Sequence, residues 1–392
     1  LALWNYELGL KAKNAGLYSN ARQYFNQSLR FLPDEKWHSM REDTIQIYMA
    51  IGECEYLVGN YEQSKIYIFE ALSHAQSKLE KLKIYRLMSL IFIEEENTEL
   101  VLNAGLQAME LCNLNIKIEP KTWEVAKEFI FVKIALRNKT NDQLMNLKPI
   151  ENEEIDVVIQ IMINIVSNSF RMSQNLTGMI LLRLMRLQLQ YGAPTESAIV
   201  FINYALLLIS GPNDVKEALR FGKLAVWMAE ETEDAYIKSR VYFIYSIFLN
   251  HWENDFDRSI RYMRNLQQNM EQLGLYYTVT ATSCFLSNAK LLDGRSLQII
   301  SDELNLQQKL YGKYTSVLAI DFLEEFKHWV RVLTSPGTDL IWDSHITLKN
   351  EEAVLMMHYT LRLRMAYLFK NEIQIKRLLQ DLAKQSEEVF SL

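Results

Sequence analysis

The stretch GLYSNARQYFNQSLRFLP, Gly16–Pro33, places small and large side chains at fixed offsets. Tyr18 stands two residues after Gly16, and Ala21, Phe25 and Ser28 follow at spacings of three and four. Those spacings put the last three on one face of a helix. Gly16 sits where a preceding helix must stop, since glycine takes a left-handed turn at little cost. Pro33, which lacks a backbone N–H, ends the second helix.

The pattern returns 43 residues later in IGECEYLVGNYEQSKIYIFEAL, Ile51–Leu72. Gly59, Tyr61, Ser64, Ile68 and Ala71 take the places of Gly16, Tyr18, Ala21, Phe25 and Ser28, and Ile51-Gly52 that of Leu8-Gly9. Each copy reads as a helix–turn–helix unit. Gly9 and Gly52 let the partner helix approach closely, Ala21 and Ser64 mark the tight crossing, and Phe25 and Ile68 are knobs that fill the space between the helices. Looser copies follow. Val101, Gly105 and Ala108 stand at the crossing, knob and small positions, as do Ala218, Gly222 and Ala225; Ser259 and Met263 continue the series. A last pair turns at Lys370-Asn371. Between the copies, Val125–Leu136, Val157–Phe170, Met179–Tyr191, Arg240–Leu249, Thr278–Leu292 and Val317–Leu333 carry apolar residues at three-and-four spacing and read as helices.

The pattern L-G…G-x-Y-x-x-A-x-x-x-F-x-x-[AS]…P resembles the tetratricopeptide repeat (TPR), lengthened from its period of 34 by about two helical turns. The expected fold is all-α, a right-handed superhelical solenoid of TPR-like hairpins in which neighbouring repeats bury one another's apolar faces. The expected organisation is N-terminal repeats over 1–136, a polar break at 137–156, degenerate central repeats over 157–332, a loop at 333–350 marked by Pro336-Gly337, and a helical pair over 351–392. Trp252 is expected to bury against the following repeat while His251 caps its helix.

Composition narrows the function classes. The chain has 392 residues, 13 Gly and only 6 Pro. Its net charge is −6, with no Lys/Arg-rich run, which argues against nucleic-acid binding. The acidic clusters Glu94–Glu96 and Glu151–Asp156 read as solvated faces. Cys54, Cys112 and Cys284 are widely spaced and form no C-x-x-C, which favours a reducing compartment over disulfides or zinc. The apolar run Ala198–Ile209 is too short to span a membrane, so no membrane insertion is expected. The chain begins at Leu1 rather than Met and ends at Leu392 in a helical pattern, and reads as a segment of something larger.

Catalytic motifs are missing from the sequence. No two glycines lie closer than seven residues, so neither G-x-G-x-x-G nor the Walker loop occurs; G-x-S-x-G and H-E-x-x-H are also absent. Glu324 and His328 share a helical face at i, i+4, a spacing read as a surface ion pair because no further ligand lies nearby. Asp343-Ser344-His345 is adjacent in sequence, which does not make a triad. No enzyme activity, metal or cofactor is expected of these residues.

The phrases GLQAMELCNLNIKIEP (Gly105–Pro120), RFGKLAVWMAEE (Arg220–Glu231), FLNHWENDF (Phe248–Phe256) and LRLRMAYLFKNE (Leu361–Glu372) occur in this order. Together they resemble the helical-repeat region of very large bacterial signalling proteins. In those, a serine/threonine-kinase-like domain and a STAND-type AAA ATPase precede the repeats, and a GAF domain and often a histidine kinase follow. The resemblance implies a cytoplasmic, non-catalytic interaction or sensory module whose partner is a protein or peptide, another domain of the same polypeptide included. It leaves homo-oligomerisation open. The alternative is a stand-alone TPR peptide-binding regulator of the quorum-sensing type. The TPR resemblance also places a concave groove at Tyr6, Leu10, Lys13 and Asn14 in the first unit and at Gln46, Met49, Glu53 and Tyr56 in the second. Tyr6 and Leu10 stand where a carboxylate-clamping TPR would carry Lys and Asn, which argues against that ligand class.

Overall fold

A computed structural model describes residues 1–95, 97–272, 276–311, 317–334 and 352–386. Helices α1 (Ala2–Asn14) and α2 (Tyr18–Arg30) form the first pair. A short α3 (Lys36–Ser39) leads to the second pair, α4 (Arg41–Leu57) and α5 (Tyr61–His74). The two turns are alike. Gly16 and Gly59 have φ of +74° and +82°. After Gly16, the Leu17 N–H donates to the Ala12 carbonyl at 2.9 Å; after Gly59, the Asn60 N–H donates to the Glu55 carbonyl at 2.8 Å. These six-to-one bonds close the orphan carbonyls of the helix end. The same bond recurs where no glycine is present: Leu114 donates to Met109 past left-handed Asn113, and Asn371 to Ala366 past left-handed Lys370.

The crossings explain the small residues. A Cβ on Gly9 would lie 2.4 Å from the Phe25 ring, and one on Gly52 would lie 2.5 Å from the tip of Ile68. Ala21 and Phe25 are buried with Ile47, Ala50, Ile51 and Cys54 of α4, so the first pair packs on the second through its knob. The Ser64 hydroxyl donates to the Gly52 carbonyl at 2.6 Å and the Ser28 hydroxyl to the Ala2 carbonyl at 2.8 Å. Each tight approach thus satisfies a polar group as well as filling space.

The chain continues through α6 (Lys78–Glu94), α7 (Thr98–Leu111), α8 (Thr122–Leu136), α9 (Asn141–Met145), α10 (Glu153–Met172), α11 (Gln174–Tyr191) and α12 (Ser197–Ser210). It goes on with α13 (Val215–Glu231), α14 (Ala235–Ile244), α15 (Phe256–Gln272), α16 (Tyr276–Leu292), α17 (Leu297–Tyr311), α18 (Val317–Thr334), α19 (Glu352–Leu368) and α20 (Glu372–Ser386). Helices dominate the described residues, and the chain is an all-α array of packed helix pairs. Further pairs are α6 with α7, α10 with α11, α15 with α16, and α19 with α20. From α7 onward the glycine changes sides. Gly105 sits at the knob position of α7 and receives Ile165 of α10, 2.6 Å from where a Cβ would be. Gly222 of α13 receives Leu249 and Tyr245 in the same way.

Two compact units result, Leu1–Val200 and Phe201–Leu392. The division falls within α12, whereas a break was expected at 137–156. That segment is instead fixed inside the first unit. Leu144 of α9 is buried, and the Ala193 N–H donates to the Lys148 carbonyl at 2.8 Å while Ile150 donates to the Ala193 carbonyl at 3.1 Å. The acidic residues there are not merely solvated: Glu154 pairs with Lys78 and Glu153 with Lys83, both at 2.6 Å. Glu95 likewise pairs with Lys65 at 2.6 Å. In the second unit, α14 widens into a π-helical turn at Tyr245–Leu249 and tightens into a 3-10 turn at Asn250–Glu253. The Ser259 hydroxyl donates to the Ser246 carbonyl there, as Ser64 does to Gly52. The change of helical pitch turns Leu249 and Asn250 inward. Trp252 is left 48% exposed, contrary to the expectation that it would be buried, while His251 bonds to the Ile247 carbonyl. Most of the expected loop, from residue 335 to 350, lies outside the described residues, as do Asp343, Ser344 and His345.

Two buried or shielded carboxylates give measurable consequences. Glu80 closes a capping box on Ser77 and receives the Arg41 guanidinium of α4 at 2.9 Å. Burial alone would raise its carboxyl. The Arg41 contact and the backbone N–H groups of Ser77 and Gln76 outweigh that and hold it at about 2, below the ordinary 4.5. Its contribution to stability is therefore present above about pH 4.5 and lost as pH falls towards 2. In urea titrations, the stability gap between wild type and Glu80→Gln is expected to narrow as the pH is lowered across that window. A gap of constant size would contradict it. In the second unit, Glu325 of α18 is fully buried; it accepts from the Trp329 indole and meets Nδ1 of His358 on α19 at 2.6 Å. Glu325→Ala strands His358 and is expected to cost about 3–5 kcal/mol. Glu324→Ala, next to it on the exposed side, is expected to be close to neutral, and thermal unfolding of the two variants separates them.

Candidate protein-interaction surface

Of the residues expected to line the N-terminal groove, Lys13 of α1 and Glu53 of α4 meet, and the others contact neighbouring side chains or stand exposed. Lys13 Nζ lies 2.6 Å from a Glu53 oxygen. Tyr6 packs on Phe25, with ring centroids 5.7 Å apart, and Leu10 packs on the same cluster. Burial, helped by nearby Glu7 and Glu53, raises the Tyr6 phenol. Tyr56 meets Tyr61, with ring centroids 6.1 Å apart. Met49 is half-buried, and Gln46 and Asn14 are exposed. Beside Glu53, Glu55 is held by Arg22 at 3.3 Å and by the Asn60 amide at 2.8 Å. Together these eight residues are charge-neutral and partly apolar.

The Glu324–His328 pairing takes a different form. Glu324 accepts from Gln308 and lies 3.6 Å from Lys327. The carboxylate that meets a histidine is its neighbour Glu325. That partnership joins residues 33 apart, and local spacing does not carry it. Cys54, Cys112 and Cys284 are unpaired, and burial raises all three thiols. Among the described residues there is no cluster of three or more metal-ligating side chains, and no helix is long and apolar enough to cross a membrane.

A cleft lies elsewhere, between α8, the loop before it and α11. It encloses about 260 Å³. Helix α8 is apolar nearly all the way round: Trp123, Val125, Phe129, Ile130, Phe131, Val132, Ile134 and Leu136 share fifteen positions. Its apolar periodicity reads as a core helix, yet its main described neighbour is α11. Val132 and Leu136 are buried, while Trp123, Ile130 and Ile134 are 57–64% exposed. The sequence signal available was this excess of apolar residues over what one neighbour can cover.

Within the cleft, the buried Glu128 of α8 holds two guanidinium groups of α11, Arg186 at 2.9 Å and Arg183 at 3.4 Å. The Arg183 Nε donor is buried and has no hydrogen-bond partner in the chain. Lys127 Nζ and the Arg186 guanidinium lie 5.8 and 5.9 Å from the centroid of the Phe131 ring, within cation–π reach. Glu124 is held by Lys117 at 2.6 Å and caps its own helix through the Lys121 N–H; these contacts lower its carboxyl. Both carboxylates of the cleft are thus occupied within the chain.

No family model matches this chain. In an alignment 351 positions long that covers 80% of this chain, it is 21% identical to the hybrid signal transduction histidine kinase G of Dictyostelium discoideum. The aligned stretch is 10% of that relative, so the chain spans about a tenth of its length. Among solved structures, the TPR domain of P58(IPK) aligns over 99% of this chain and 98% of its own, at 8% identity and a TM-score of 0.21.

Proposed function

We propose that this chain is a non-catalytic protein-binding arm of a larger signalling polypeptide. The supporting observation is the open face of α8. A folded chain leaves single apolar residues at its surface routinely, but a run of large ones on one helix beside a cleft marks a contact surface. Trp123, Ile130 and Ile134 form such a run, and Phe131, 46% exposed, joins it to the cleft. The likeness to a hybrid histidine kinase supports the signalling context, and the TPR-like pairs of the first unit suit a scaffold that presents surfaces rather than reacting groups. In the arrangement that the resemblance to repeat-bearing ATPases implies, such an arm restrains an output domain until a partner engages it.

Lysine-directed cross-linking of the native polypeptide, read by mass spectrometry, tests this. Lys121, Lys127 and Lys133 flank the apolar face, and links from them to a domain outside residues 1–392 or to a purified partner are expected. Trp123→Ala with Ile134→Ser should abolish those links while leaving the melting temperature nearly unchanged, since both side chains are exposed. Links from these lysines confined to residues 1–200 in both forms would contradict the proposal.

A further inference from the structure

We infer that the cleft between α8 and α11 takes an acidic segment carrying an apolar anchor side chain. This rests on the reading that the α8 face is the docking surface, and it adds the chemistry of the partner. The argument is one of charge. The chain as a whole carries −6. The cleft inverts that sign: Lys117, Lys127, Arg183 and Arg186 line it against Glu124 and Glu128 alone. Glu128 is shared by two arginines and Glu124 is engaged by Lys117. Lys127 and Arg186 both lean on one aromatic ring and leave positive charge over it. The buried Arg183 Nε is an unmet donor in the same wall. An incoming carboxylate meets the surplus charge of Lys127 and Arg186 beside the Phe131 ring.

The apolar half of the site sets the second requirement. Trp123, Phe131 and Met179 line the same cleft, and about 260 Å³ admits one large side chain. A nucleic-acid strand needs a continuous basic stripe along its phosphates, and here two carboxylates interrupt the cations. An anionic bilayer meets protruding, unengaged cations, and here each lining cation is tied to Glu124, to Glu128 or to the Phe131 ring. A peptide laid along α8, with an acidic residue beside Arg183 and Arg186 and an apolar one beside Trp123, satisfies both halves.

The test uses fluorescence anisotropy on the full chain with three labelled peptides of about 15 residues, matched in helix propensity. One is rich in Glu with a Leu-Trp anchor, one has every Glu replaced by Lys, and one keeps Glu but replaces the anchor by Ser. The first is expected to bind, the second not, and the third at least about tenfold more weakly. Binding of the first should weaken as salt rises from about 50 to about 500 mM. Arg186→Gln should lower its affinity about tenfold. Lys127→Glu, at an exposed position, should do the same and guards against loss of folding in the arginine variant.

Equal or tighter binding of the Lys peptide overturns the inference, as does failure of the Glu peptide to bind at about millimolar concentration. Tight binding of phosphatidylserine vesicles or of an oligonucleotide that displaces the Glu peptide overturns it too. If the cross-links at α8 still depend on Trp123 and Ile134 in any of these cases, the docking surface stands and only its assigned chemistry falls. If those cross-links are insensitive as well, both fall.

Discussion

The close crossing of paired helices at a residue without a side chain governs the rest of this structure. Gly9 under Phe25 and Gly52 under Ile68 bring two helix backbones near enough for a serine hydroxyl to reach a carbonyl of the opposite helix. The knob that fills the glycine gap also continues into the next helix, since Phe25 packs on Ile47 and Ile51. One side chain therefore joins a pair internally and joins it to its neighbour. That is why the unit can repeat: each pair buries a face it cannot bury alone.

The sequence makes the first two units legible because glycine, knob and turn all recur at one spacing. It is less readable later, for a physical reason. At Gly105 the gap lies on the second helix of a pair and the knob, Ile165, comes from α10; at Gly222 of α13 it is filled by Leu249 and Tyr245 from the turn that extends α14. The contact is kept while the offsets that announce it change. Turns behave similarly: Asn113 and Lys370 adopt the left-handed conformation of Gly16 without its identity. Trp252 is misread for a related reason, because a π turn followed by a 3-10 turn shifts the helical phase by an amount that three-and-four spacing does not encode.

The exposed apolar face of α8 was hidden by the same logic that exposed the fold. Apolar periodicity marks α8 as helix but not what covers it, and its many large side chains read as core. Only packing shows that Val132 and Leu136 are buried while Trp123, Ile130 and Ile134 are exposed. The Glu128–Arg183–Arg186 group joins residues 55 and 58 apart and had no local signature. Of the residues expected to line an N-terminal groove, Lys13 and Glu53 neutralise one another.

The central claim, that glycine crossings set the repeat, is tested most directly by a double-mutant cycle on Gly52 and Ile68. A methyl on Gly52 would collide with Ile68, so Gly52→Ala should destabilise the wild-type chain. In an Ile68→Ala background the space is open and helix propensity alone remains. There, the same substitution should stabilise by about 0.5–1 kcal/mol. That reversal of sign in urea unfolding is the predicted result. An equal effect of Gly52→Ala in both backgrounds would contradict the account.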